Sequence, residues 1–242
     1  MKRDPKQSKD LIAYRDIRNL MFSRRLIPGQ KVVFRDLEEQ LGMSKTPIWT
    51  ALVRLEQDGL VISRHNRGFY VKQWSKTKIQ QFVELREKLQ GILIGYAVPG
   101  CKKEELAVLK AALDNYIAYT GKVYDRTRWE LDSAFHGQIA WMSGNEFLIA
   151  TLGRLHDILY IAIDLTVLTP LIGTLKKDHE NVYRAIAARD ATSAKQALRR
   201  HDRNATRVML GSLISPNPEA LEAIAGADQD RVPSVIFLLQ LD

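Results

Sequence analysis

Between residues 35 and 59 the chain is punctuated by Gly42, Pro47 and Gly59, and this punctuation leaves room for two short helices and little else. Arg35 to Leu41 reads as the first, closed by Gly42 at a C-cap position. Met43-Ser44-Lys45-Thr46-Pro47 is a tight connection in which Thr46 is expected to cap the next helix and Pro47 to occupy its first turn. That helix is expected to run to about Asp58. Ile48, Ala51, Leu52 and Leu55 fall at i, i+3, i+4 and i+7 and form one apolar stripe. The opposite face carries Lys45, Thr46, Trp49, Thr50, Val53 and Arg54. Two short helices joined by such a turn match a helix-turn-helix, whose second helix enters the major groove of DNA.

The flanks complete the pattern. Asp10 to Arg24 has helical periodicity and stops before Pro28-Gly29. Leu60 to Ser63 and Phe69 to Lys72 are β-prone and bracket Arg64-His65-Asn66-Arg67-Gly68, a cationic turn with a glycine suited to positive φ. A hairpin with Arg64 and Arg67 at its tip is placed to touch phosphate or the minor groove. Charge follows the same division. Residues 1–75 hold 15 Lys+Arg against 8 Asp+Glu, a net of +7 out of +8 for the whole chain. A basic field confined to one region is what phosphate neutralisation requires.

The stretch from Pro28-Gly29-Gln30-Lys31 through Arg35-Asp36-Leu37, Leu41 to Pro47, Ala51-Leu52, Leu55, Asp58 to Val61 and Asn66-Arg67-Gly68 resembles the DNA-binding domain of the GntR family. By that resemblance Arg35, Lys45, Thr46 and Gly68 lie at the operator. Lys45 stands where relatives usually have arginine, and Trp49 where many have arginine. Arginine can donate two hydrogen bonds to a guanine, and losing such a pair removes about 1–3 kcal/mol of discrimination. Trp49 is left with four roles: a thymine methyl, the sugar wall, a partner contact, or shielding of the helix surface.

From residue 76 helical periodicity takes over, with helices expected at 76–97, 102–119, 125–143, 145–168, 172–189 and 191–213. Asp132 and His136, spaced i, i+4, put a carboxylate and an imidazole on one helical face. A hairpin turning at Asp190 brings His179 and His201 to similar height. One Asp and three His form a mixed O/N set suited to Zn, Ni, Mn or Fe, although such spacing also fits surface hydrogen bonds and core histidines. His156 offers no evident partner.

Residues 81–201 resemble the FCD ligand-binding domain of FadR-like GntR regulators, through Leu85-Arg86, Asp132 to His136, Asn145, His179, Ala185-Ile186, Asp190, Ala194 and His201. The resemblance implies that Asp132, His136, His179 and His201 are metal ligands and that a small carboxylate effector binds nearby. Gln90 replaces a glutamate common in the family. Arg86 either pairs with the effector, its fork suiting a carboxylate, or makes an interhelical salt bridge.

The expected fold is mainly α: a winged helix-turn-helix with a small β-hairpin at 1–75, an all-α helical-bundle ligand-binding domain at 76–215, and a tail at 216–242. A single cysteine, Cys101, no apolar leader and no long apolar run fit a cytoplasmic protein without membrane contact. The expected function is that of a homodimeric, effector-controlled transcriptional regulator, a repressor, with double-stranded DNA as partner. A metal-dependent enzyme with an accessory basic domain is the alternative, but no nucleophile or general-base pattern accompanies the histidines.

Overall fold

The structure is a computed structural model that describes residues 8–121, 126–162 and 172–212. The chain divides into two compact units between Trp74 and Ser75.

The first unit contains α1 (Lys9–Phe22), α2 (Phe34–Leu41), α3 (Lys45–Gln57), β1 (Val61–Arg64) and β2 (Gly68–Val71). Ile48, Ala51, Leu52 and Leu55 are all buried, as their spacing requires, and α3 packs on α1 and α2, whose Ile17, Met21 and Leu37 are buried too. Gly42 takes φ +61°, and this left-handed turn separates α2 from α3. Helix α3 starts earlier than its sequence suggests. Ser44 is the extended N-cap residue, Lys45 and Thr46 are already helical, and Pro47 is third in the helix. Thr46 is therefore not the cap, yet Pro47 still lies in the turn whose N–H groups have no intrahelical partner.

Strands β1 and β2 pair antiparallel from Val61↔Val71 to Arg64↔Gly68. The connection is one residue tighter at each end than expected, leaving His65, Asn66 and Arg67 as the loop. Asn66 (φ +57°) and Gly68 (φ +85°) supply the positive φ that reverses the chain. The far edge of β2 is also occupied. Val32 N–H donates to Phe69 O, Gly29 N–H to Val71 O and Val71 N–H to Gln30 O, which ties the segment before α2 to the hairpin.

The second unit is helical: α4 (Lys76–Ala97), α5 (Lys103–Ala118), α6 (Arg126–Met142), α7 (Glu146–Ala162), α8 (Ile172–Ala187) and α9 (Ala191–Ser212). Ser75 caps α4 by accepting from Lys78 N–H. Asp190 caps α9, its carboxylate accepting from the Ser193 amide and hydroxyl, and so fixes the α8–α9 hairpin. Leu93, Ile94, Leu109, Leu113, Phe135, Ile139, Val182, Ile186 and Leu198 fill the core between the helices. The expected end of the fourth helix of this unit at 168, the break at Pro170 and the tail at 216–242 lie outside the described residues. Among the described residues no helix is long and apolar enough to cross a membrane.

Leu52 is fully buried at the centre of the first unit. Leu52→Ala is expected to lower the stability of that unit by about 2–5 kcal/mol through lost burial and the cavity left behind. Urea unfolding followed by near-ultraviolet circular dichroism checks it.

Candidate functional site

The four expected ligand residues converge inside the second unit. Helix α6 presents Asp132 and His136 one turn apart, α8 contributes His179, and α9, folded back at Asp190, contributes His201. One donor atom from each lies within 4.8 Å of the others. His179 Nε2 is 3.1 Å from Asp132 Oδ1, His136 Nε2 is 3.8 Å from Asp132 Oδ2, and His136 Nε2 is 3.1 Å from His201 Nε2. Ligands about 2.0–2.2 Å from one ion stand roughly 3.0–3.5 Å apart. Asp132, His179 and His201 are buried and His136 is half-buried.

The hydrogen bonding at His179 fixes what the cluster can hold. Its Nδ1 lies 2.7 Å from the carbonyl oxygen of Leu175, which can only accept, so the proton is on Nδ1. Nε2 then faces Asp132 Oδ1 at 3.1 Å, and that nitrogen is buried without an aligned hydrogen-bond partner. An imidazole nitrogen and a carboxylate oxygen 3.1 Å apart are held together by a positive charge between them, a proton or a metal ion. Burial pushes the His136 imidazole down to about 3 and holds His201 well below the ordinary range, so both are neutral donors near pH 7. Burial opposes ionisation of Asp132, but the three imidazoles outweigh it and keep the carboxyl well below the usual range. One carboxylate and three imidazoles fit a divalent first-row metal, and an imidazole donating its second N–H to a carbonyl is the usual support for such a ligand. Tyr116 and Phe135 pack on the His179 ring at centroid distances of 4.2 and 4.8 Å and hold it in place.

Arg86 takes the interhelical alternative. Its Nη2 donates to Asp202 Oδ1 at 2.6 Å, joining α4 to α9 in a buried ion pair. Asp202 supplies this carboxylate while position 90 holds a neutral Gln90, also buried. Burial pushes the Asp202 carboxyl up to about 6, with Arg86 opposing. Arg86 Nε and Asp202 Oδ2 have no hydrogen-bond partner.

His156, expected to stand alone, does not. Its Nε2 lies 2.6 Å from Ser133 Oγ, and its ring stacks on Trp129 at 4.1 Å and stands 6.4 Å from His136. The signal for it lay in α6: Trp129, Ser133 and His136 at i, i+4 and i+7 form one face toward α7.

In the first unit Arg35, Lys45, Thr46, Trp49, Thr50, Arg54, Arg64 and Arg67 are exposed, and Gly68 is half-buried in the hairpin. Lys45 Nζ stands 5.4 Å from the Phe34 ring centroid. Arg54 lies over Tyr14 and Arg64 over Tyr70, at 4.8 and 4.3 Å. Trp49, 51% exposed, stacks on Phe34 at 6.0 Å and meets Phe69 edge-on at 5.2 Å.

Residues 11–71 match the model of bacterial regulatory proteins of the gntR family, and residues 81–204, more than half of the chain, match the FCD domain. The chain belongs to the GntR family of transcriptional regulators, in the branch with an FCD domain. This GntR/FCD regulator is 26% identical over 228 residues to a putative L-lactate dehydrogenase operon regulatory protein of Escherichia coli, covering 81% of this chain and 84% of that one. It is 22% identical over 190 residues to the HTH-type transcriptional regulator YdhC of Bacillus subtilis, covering 78% and 85%. In architecture it is similar to E. coli McbR/YncC, with a TM-score of 0.71 at 21% identity, covering 85% of this chain and 98% of that one. A GntR regulator from Rhodococcus sp. RHA1 gives 0.72 at 19% identity, covering 85% and 99%. The matched families and these relatives are regulators, so the regulator holds and the enzyme alternative falls.

The ion pair of this regulator makes a quantitative expectation. Arg86→Met or Asp202→Leu alone leaves a buried charge unpaired and is expected to cost about 3–5 kcal/mol, while the double replacement recovers most of that loss. A double-mutant cycle on thermal unfolding measures it.

Proposed function

We propose that this regulator binds an inverted-repeat operator as a homodimer and that a small carboxylate effector, held at a metal ion in the helical unit, controls that binding in the manner of a repressor. The observation that carries the effector side is the convergence of Asp132, His136, His179 and His201, with His179 Nε2 facing Asp132 Oδ1, an arrangement that suits a bound cation. Asp132, His136, His179 and His201 are the ligands, with Zn, Ni, Mn or Fe suited to the donor set. When bound, the ion supplies open positions that a chelating carboxylate can fill. The E. coli relative is named for an L-lactate dehydrogenase operon. A 2-hydroxy acid, offering a carboxylate and a hydroxyl to one cation, is therefore the first probe. Arg86 is engaged by Asp202 through Nη2, and its Nε, which lacks a hydrogen-bond partner, is the donor left for an effector carboxylate that competes with that ion pair.

On the DNA side α3 is the recognition helix, with Lys45, Thr46, Trp49, Thr50 and Arg54 on its exposed face. Arg35 at the start of α2 and Arg64, Arg67 and Gly68 in the hairpin reach phosphate or the minor groove. The net charge of +7 within residues 1–75 supports this assignment. The setting is the cytoplasm, in keeping with the regulators it resembles.

Two measurements test the proposal. Elemental analysis of the purified protein is expected to find one metal ion per chain, reduced to background in His136→Ala and His179→Ala. Metal content that ignores both substitutions rejects the centre. A duplex selected from random-sequence DNA is expected to bind with a log affinity against log salt slope of roughly −5 to −9, the range for six to ten phosphate contacts. Binding insensitive to salt rejects the nucleic-acid reading.

A further inference from the structure

Trp49 is the one large hydrophobic side chain exposed on α3, 51% accessible among lysine, threonine and arginine. It is also held from two sides. Phe34, the first residue of α2, stacks on it with an interplanar angle of 17°, and Phe69 of β2 meets it edge-on at 77°. Phe34 and Phe69 are themselves 6.3 Å apart, so three rings from three elements form one closed cluster. Lys45, one turn before Trp49, places its ammonium by the Phe34 ring. The indole is therefore a fixed apolar surface with a cation beside it.

Its position limits what it can meet. Residue 49 lies in the second turn of α3, and the N-terminal residues of a recognition helix reach base edges. An indole has a single donor, Nε1–H, and no acceptor, so it cannot make the paired hydrogen bonds that read guanine or adenine. The apolar group on the major-groove edge is the 5-methyl of thymine. Opposite the cytosine amino group, the same surface would strip water from a donor and return nothing. Because Phe34 and Phe69 already order the ring, binding costs little side-chain entropy.

We propose that Trp49, buttressed by Phe34 and Phe69, is a specificity-determining residue that reads a thymine 5-methyl group in each operator half-site. The inference rests on the DNA-binding reading of α3 given above and adds the base that α3 selects.

The test uses the full-length protein and a duplex selected by it from a random-sequence pool. Each thymine is replaced in turn by uracil, which removes only the methyl. At one thymine per half-site, affinity is expected to fall about fourfold, the value of one buried methyl. The same replacement is expected to have no effect on Trp49→Ala, while Trp49→Phe, which keeps a ring on Phe34, retains part of the thymine sensitivity. If no single thymine-to-uracil change alters wild-type affinity, or if Trp49→Ala keeps the sensitivity, the inference is overturned while DNA binding by α3 stands. If Trp49→Ala fails to fold, the wild-type uracil scan and Trp49→Phe decide the question. If the protein selects no sequence at all, the DNA-binding reading itself fails.

Discussion

An imidazole nitrogen of His179 and a carboxylate oxygen of Asp132 facing each other across 3.1 Å is the constraint around which the helical unit is built. Neither group can turn away. The Leu175 carbonyl holds His179 by its other nitrogen, and Tyr116 and Phe135 confine the ring. Asp132, His179 and His201 are buried, so screening between them is weak. Burial also keeps His136 and His201 from carrying the neutralising proton. Helices α6, α8 and α9 meet at this point, each contributing a donor to the cluster.

The surrounding structure follows from that meeting. Asp190 caps α9 and sets the turn that returns His201 toward His179. The next residue, Asp202, pairs with Arg86 of α4, so the helix that donates to the cluster also grips the first helix of the unit. Ser75, the N-cap of α4, directly follows Trp74, where the basic unit ends. On the far side, His156 joins Ser133 and Trp129, placing a hydroxyl and two rings next to His136. The basic unit shows a parallel economy of design, with Phe34, Trp49 and Phe69 linking α2, α3 and the hairpin.

Local signals in the sequence were the readable ones. Gly42, Pro47 and Gly59 bounded α2 and α3, and the apolar stripe of α3 identified its buried face, because these depend on neighbours within a few residues. The Asp132–His136 spacing was legible for the same reason. Contacts between distant segments were not. Gln30 and Val32 bond to β2 through backbone groups that carry no side-chain signature. Asp202 as the partner of Arg86 is separated by 116 residues, and His156 finds Ser133 only once α6 and α7 pack. Ser44 and Thr46 are both residue types that cap helices, and the extended backbone at Ser44 makes it, rather than Thr46, the N-cap of α3.

Coupling between the buried donor cluster and DNA binding is the central proposal, and one titration addresses it directly. Operator affinity of metal-loaded protein is measured by fluorescence anisotropy at fixed salt, with and without saturating 2-hydroxy acid, and again after chelation. The account predicts that the acid changes affinity by about five- to 150-fold, the range of ordinary coupling energies, and that chelation abolishes this response. An affinity indifferent to both the acid and the metal would contradict it.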